Sequence, residues 1–169
     1  MSENKVGAPA RELTEFEQGI YQVCSRLGTG EGWDDWDVKD CNLRFESATP
    51  GPPAQASYLL VCTQKLCNWL GNLHGGCAAT LIDMLSSVTL IGASRPGMFS
   101  LGGVSRHLGV TYLRPVPMGI EMRLVTKVVH MGRRLTLLRS EIYRVDTGDL
   151  CMVSDHEKVN TDPEASGKM

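Results

Sequence analysis

One carboxylate stands apart from the other acids. Between Glu46 and Glu121 the chain's single acidic residue is Asp83, and it sits within residues 78–91, the most apolar segment of the sequence. An ionised carboxylate is costly to bury without partners. Asp83 is therefore either a residue that does chemistry, or a structural carboxylate bonded to its neighbours. On a helix, Thr80, Ser86 and Ser87 fall three or four residues away and share its face. With Gly76 they trace one narrow polar stripe along an otherwise apolar cylinder.

Upstream lies Asn68, and then His74-Gly75-Gly76 at the start of the same expected helix. The first amides of a helix have no intrahelical acceptor and carry partial positive charge. Glycine lets a substrate approach that backbone closely, and a carbonyl oxygen held there would be polarised as in an oxyanion hole. His74 alone also fits a plain helix cap. From His74 to Asp83 is about 13 Å of helix rise, too far for one helix to set both against one reacting carbon. A second subunit could supply one half, which hints at a dimer with shared sites.

A third group is basic. Residues 95–144 carry nine bases against two acids, whereas residues 1–50 carry five bases against ten acids. Gly132-Arg133-Arg134 falls on an expected turn, where two guanidiniums could grip phosphate. Arg106, His107 and Arg114 are further candidates. A solvated sheet face paired to the acidic segments is the plainer account of the same charges. A net charge of −2 does not suit general nucleic-acid binding, so the expected ligand is a small anionic molecule.

Absent motifs narrow the chemistry. There is no G-x-S-x-G elbow, no Walker A loop and no Rossmann glycine fingerprint. The six cysteines (Cys24, Cys41, Cys62, Cys67, Cys77 and Cys151) form no C-x-x-C and no His/Cys spacing that suits zinc. No metal and no cofactor is expected. The first twenty residues do not read as a secretory signal, and no apolar run approaches the ~20 residues of a membrane span. Buried free thiols and a cytoplasmic location are expected, with a mitochondrial association left open.

The elements that must position these groups follow from periodicity. A composition of 42% hydrophobic and 21% charged residues suits one domain with its own core. Leu13, Phe16, Ile20, Val23 and Leu27 recur at helical steps, predicting an amphipathic helix over 12–27, with a Thr14/Glu17 capping box and Gly28 as its stop. A turn-rich stretch with Trp33 and Trp36 follows. Alternation predicts strands over 38–47 and 56–66. Residues 76–92 form a helix apolar over most of its circumference, hence buried. Four strands then follow at about 103–113, 119–131, 134–145 and 149–160. One antiparallel sheet of about six strands, wrapped around the apolar helix, satisfies these elements. Residues 1–10 and 162–169 read as frayed ends.

Asn68, His74-Gly75-Gly76 and Ala79-Thr80-Leu81-Ile82-Asp83, at this spacing, resemble the signature of hotdog-fold acyl-CoA thioesterases, most closely the PaaI-like group. Residues 104–115, ending Tyr112-Leu113-Arg114-Pro115, resemble that family's strand after the central helix. Met131-Gly132-Arg133-Arg134-Leu135 resembles its next hairpin. The resemblance implies an α+β hotdog domain over 38–161, preceded by an extension over 1–37 and followed by a tail over 162–169. It implies Asp83 as general base or nucleophile and Gly75 as the amide that polarises the thioester carbonyl. Asn68 and His74 would orient substrate or support that loop, and Ser105 would position the attacking water. It implies an acyl-CoA substrate and homodimers with shared sites, usually assembled as homotetramers. A hydratase or dehydratase on the same fold would need a second acid–base group near Asp83. A non-catalytic acyl-CoA binding module would need neither Asp83 nor His74-Gly75.

Overall fold

The computed structural model describes residues 6–27 and 40–163. Its first helix, α1, spans Glu15–Cys24. Thr14 accepts from the Glu17 amide while the Glu17 carboxylate accepts from the Thr14 amide, so the expected capping box forms. The helix is shorter than its periodicity because capping starts it at Glu15 and Ser25 ends it. Gly28, Trp33 and Trp36 lie outside the described residues.

Glu17 does more than cap. It is buried, and it accepts from both terminal nitrogens of Arg11 and from the Ala48 amide at 3.1 Å. The Arg11 guanidinium, aided by these amides and opposed by burial, holds the Glu17 carboxyl down to about 2. One side chain thus ties α1 to the first strand.

Six strands follow: β1 Arg44–Thr49, β2 Gln55–Val61, β3 Val104–Tyr112, β4 Glu121–Met131, β5 Leu135–Arg144 and β6 Leu150–Val159. They form one antiparallel sheet in the order β1-β2-β4-β5-β6-β3. The long helix α2, Gly75–Ala93, links β2 to β3 at the far edge and packs against β3, β4, β5 and β6. Alternation aims Met122, Leu124, Thr126 and Val128 of β4, with Thr136, Leu138, Ser140 and Ile142 of β5, at that helix. The inward hydroxyls are satisfied in pairs, Tyr58 with Thr89 at 3.0 Å and Thr126 with Ser140 at 2.7 Å. By length and mean hydropathy (19 residues, 1.5) α2 could cross a membrane, yet most of it is buried inside its own sheet. Its last turn is covered by α1. A Cβ on Gly92 would fall 2.2 Å from Ile20, so only glycine permits this contact.

The structure departs from the periodicity in four places. The first strand begins at Arg44, because Asn42 takes a left-handed turn (φ 50°) just before it. The second ends at Val61, and Gln64–Leu66 is a 3-10 turn. Gly7 pairs with β1 through Gly7 N–Leu43 O (3.0 Å) and Phe45 N–Gly7 O (2.9 Å), and Tyr21 donates to Val6 O (2.9 Å), so residues 6 and 7 are not frayed. Asp162 is also held, accepting from the Ser100 and Leu101 amides. All six cysteines are free thiols, five buried and Cys67 half-buried.

Candidate active site

Asp83 stands mid-way along α2 with 43% of its side chain exposed. Its Oδ1 accepts from Ser105 Oγ of β3 at 2.8 Å and lies 3.1 Å from His156 Nε2 of β6. A carboxylate can only accept, so Ser105 spends its one proton on Asp83, and Nε2, 3.0 Å from Ser105 Oγ, must carry the hydrogen and donate to that hydroxyl. Nδ1 is then the acceptor, and the Ser86 hydroxyl donates to it at 2.7 Å. His156 is fully buried, and burial, followed by the nearby Lys158 charge, pushes it down to about 4 against the pull of Asp83. It is a neutral N–H donor at physiological pH.

The hydroxyls of the polar stripe do not reach the carboxylate. Ser87 donates to the Asp83 backbone carbonyl at 2.7 Å, Ser86 Oγ lies 3.1 Å from that carbonyl, and Thr80 donates to Gly76 O at 3.0 Å. An i, i+3 or i+4 hydroxyl finds its own helix carbonyls first. The carboxylate is held from the sheet instead. Lys158, also buried on β6, donates to Ser87 Oγ at 2.7 Å and lies 3.4 Å from Ser105 Oγ. Burial lowers its ammonium below the ordinary lysine range, and Asp83 opposes that fall.

The second half of the site is at the start of α2. His74 is the N-cap, its Nδ1 accepting from the Gly76 amide at 3.0 Å. This is the capping role that its sequence position allows. The Gly75 N–H is left without an acceptor among the described residues, as expected of a first-turn amide. Asn68 Oδ1 accepts from the Leu70 and Asn72 amides at 3.0 and 3.2 Å, which leaves its amide nitrogen free to donate. Tyr112 of β3 donates to Gly75 O at 2.7 Å and packs its ring over Gly75. Asn68, Gly75 and Tyr112 line one cavity of about 430 Å³, whose other walls include Leu70, Leu73, Leu113 and Met152. Asp83 does not line it.

The basic candidates are not brought together within one chain. Five of the nine bases of residues 95–144 pair with acids along the sheet and its hairpins: Arg106–Glu157, Arg123–Glu46, Lys127–Glu141, Arg139–Asp155 and Arg144–Asp146. The plainer account holds for these. His107 faces the outer sheet surface beside Arg139 and Asp155. Arg114 donates to Leu150 O and borders the Gly75 cavity. Arg133 and Arg134 lie with Arg95 around a separate surface cavity of about 770 Å³, shaped by Asn160, which donates to Arg133 O and Gly97 O.

His156 and Lys158 are functional candidates that sequence reasoning missed. Their signal is the run Ser154, His156, Lys158, a polar set of period two in a strand whose opposite face is Asp155 and Glu157. A strand polar on both faces within a closed core must line something other than core. The arrangement offers a carboxylate held by a hydroxyl that an imidazole N–H backs at one end, and a pair of N–H donors over an apolar cavity at the other. These are the parts of a base-assisted attack on a carbonyl.

Comparison with known proteins gives the family. A sequence model described as the thioesterase superfamily matches residues 70–151. Acyl-coenzyme A thioesterase 13 of Mus musculus is 31% identical over 103 residues, covering 59% of this chain and 71% of that protein. The crystal structure of thioesterase superfamily member 2 from Mus musculus superposes with a TM-score of 0.72 at 23% identity, covering 87% and 98% of the two chains. That of the E. coli PaaI protein from the phenylacetic acid degradation operon gives 0.64 at 17%, covering 85% and 98%. The fold is therefore the hotdog fold, and the chain belongs to the thioesterase superfamily.

Proposed function

We propose that this protein hydrolyses acyl-CoA thioesters to a free acid and CoA, at sites shared between two copies of the chain. The observation that carries the chemistry is the contact set on Asp83. His156 N–H donates to Ser105 Oγ and Ser105 O–H donates to Oδ1, a relay that leaves Oδ2 to accept a water proton. The thioester oxygen would take the Gly75 amide and the Asn68 side-chain amide as donors. Water adds to the carbonyl carbon as its proton passes to Asp83. The tetrahedral oxyanion collapses, the C–S bond breaks, and the CoA thiolate takes up that proton.

The shared site follows from reach. Gly75 and Asp83 are about 12 Å apart along one helix, whereas reacting atoms must meet within about 3.5 Å. The edge strand β3 supplies the link. It carries Ser105 at the Asp83 end and Tyr112 at the Gly75 end, and among the described residues its outer edge is unpaired. Antiparallel pairing with β3 of a second copy, about a two-fold axis near Gly109, sets Ser105 level with the partner's Tyr112. The Arg106 bulge absorbs the odd residue. Asp83 of one copy then faces Gly75 of the other. Trp69, 91% exposed, and Leu70 and Leu113 beside the Gly75 cavity give the second copy apolar surface to cover. Two such dimers would make a tetramer. The acyl chain would occupy the apolar Gly75 cavity. Arg133 and Arg134, with no acid paired to them among the described residues, would take the CoA phosphates, and Arg114 would guard the cavity mouth. Arg106 and His107 are assigned no substrate contact. Six free thiols suit the reducing cytoplasm.

The test is thiol release from a panel of acyl-CoAs of graded length, together with one single turnover in ¹⁸O water. Label in the product acid after that turnover supports attack by water. Unlabelled acid would instead assign Asp83 as a nucleophile, and failure of every acyl-CoA to release thiol would overturn the reading.

A further inference from the structure

Lys158 is buried, ionisable and idle in the mechanism above. Its surroundings are specific. On one side its ammonium donates to Ser87 Oγ at 2.7 Å, and Ser87 Oγ in turn donates to the Asp83 backbone carbonyl at 2.7 Å. On the other side it lies 3.4 Å from Ser105 Oγ, and Ser105 Oγ donates to Asp83 Oδ1 at 2.8 Å. Two short relays thus leave one ammonium, pass through one hydroxyl each, and end on the same residue.

A hydroxyl has a single proton, and an ammonium can donate but not accept. A serine that accepts from Lys158 must therefore direct its own proton elsewhere, and in both relays the acceptor is Asp83. We propose that Lys158 is a positioning residue for the hydrolysis: its ammonium fixes the direction of the Ser87 and Ser105 hydroxyls, holds the Asp83 carboxylate in one orientation, and supplies the opposite charge inside the site. The inference rests on the thioesterase reading given above. Asp83 is the carboxylate that faces Lys158 from α2, and His156 is its titratable neighbour on β6, with His107 of β3 acting on His156 from beyond it. Thr136 and Ser105, its partners on the flanking strands, carry no charge.

The proposal has a pH signature. A neutral lysine amine can accept a hydrogen bond, so loss of its proton frees Ser87 to turn and leaves Ser105, which also accepts from His156 Nε2 at 3.0 Å, with one donor in place of two. Burial lowers the Lys158 ammonium below the ordinary lysine range, so kcat of the native enzyme should fall on the alkaline side before ordinary lysines titrate. Lys158→Gln keeps a donor of similar reach but can also accept, and it has no charge to lose. It should lower kcat about 10- to 100-fold, below the ~10²- to 10³-fold effect of removing a preorganised donor that touches the reacting atoms. KM should stay within about twofold, because Lys158 does not touch substrate. The alkaline limb should vanish, leaving a flat profile near the high-pH rate of the native enzyme. Lys158→Met, which removes the donor as well, should match or exceed the loss, and it serves if the Gln variant does not fold. A native kcat in either variant, or an alkaline limb unchanged by the substitution, overturns the proposal. Asp83→Asn is assayed alongside: if that variant is fully active, the thioesterase reading itself fails, whereas an inactive Asp83→Asn with a native Lys158→Gln sinks the lysine's role alone.

Discussion

Subunit mixing tests the shared site quantitatively. Consider Asp83→Asn and Asn68→Ala, each made in an otherwise native chain. If a site takes Asn68 and Gly75 from one copy and Asp83 and Ser105 from the other, every homodimer of either variant has one lesion per site and is inactive. In a mixed dimer the two lesions fall in the same site, and the other site is fully native. Random exchange makes half of the dimers mixed, so about one quarter of the native sites return. If both halves instead came from one chain, each site would keep one lesion after mixing and no activity would return. The separation that forces this choice is the ~12 Å of helix between Gly75 and Asp83, together with the ~23 Å of strand between Ser105 and Tyr112. The assay is thiol release at saturating acyl-CoA, before and after co-refolding of an equimolar mixture, with the mixed species isolated by two different tags. The isolated mixed dimer should show about half of native kcat with an unchanged KM. A mixture no more active than its parents would refute the β3 pairing and the shared site with it.

Asp83→Asn should fold normally, since the side chain is partly exposed, and should lose at least ~10²-fold in kcat through loss of the base; a near-native kcat would remove Asp83 from the mechanism. Arg133→Ala with Arg134→Ala should raise KM for acyl-CoA and leave kcat nearly unchanged, with little effect on a short thioester that lacks the nucleotide. Equal losses on both substrates would show that these arginines do not bind CoA phosphates. Glu17→Gln should destabilise the fold by about 1–3 kcal/mol in urea titrations, the usual cost of stranding buried partners. Glu17 is depressed to about 2 in the folded chain, so its contribution is present above the unfolded carboxyl value near ~4.3 and is lost as pH falls from there toward 2. The variant should therefore show a flatter acid dependence than the native chain in that window, and an unchanged one would dismiss the Glu17 tie.

The helix α2 and its polar ends were legible in the sequence because both signals are local. A lone Asp in an apolar run and a Gly-Gly pair behind a histidine depend on nothing beyond a turn or two of chain. Ser105 needed the family resemblance, since nothing near it in sequence marks it. His156 and Lys158 escaped because their meaning depends on register. Lys158 lies opposite Ser105 only through the β3–β6 pairing, and that pairing joins residues more than fifty positions apart. The basic sector misled for the same reason. Arg123 reads as an unpaired cation until the sheet places Glu46 beside it at 2.7 Å. Asp83's true partners were likewise on strands, while the hydroxyls nearest in sequence turned to the helix backbone.

The place of α2 in the chain order bears on how the protein is made. Four of the six strands follow it in the sequence. A ribosome therefore releases a 19-residue helix of membrane-like composition while most of its eventual cover is still untranslated. Until β4 to β6 arrive, the native elements among the described residues that can shield it are α1, the β1–β2 hairpin and, once made, β3, and Gly92 is what lets Ile20 of α1 dock there. Chains stalled or truncated after residue 100 would display that surface to chaperones and to membranes alike. The amino-terminal helix, remote from the candidate site, is thus placed to act first, as a shield for α2 during synthesis.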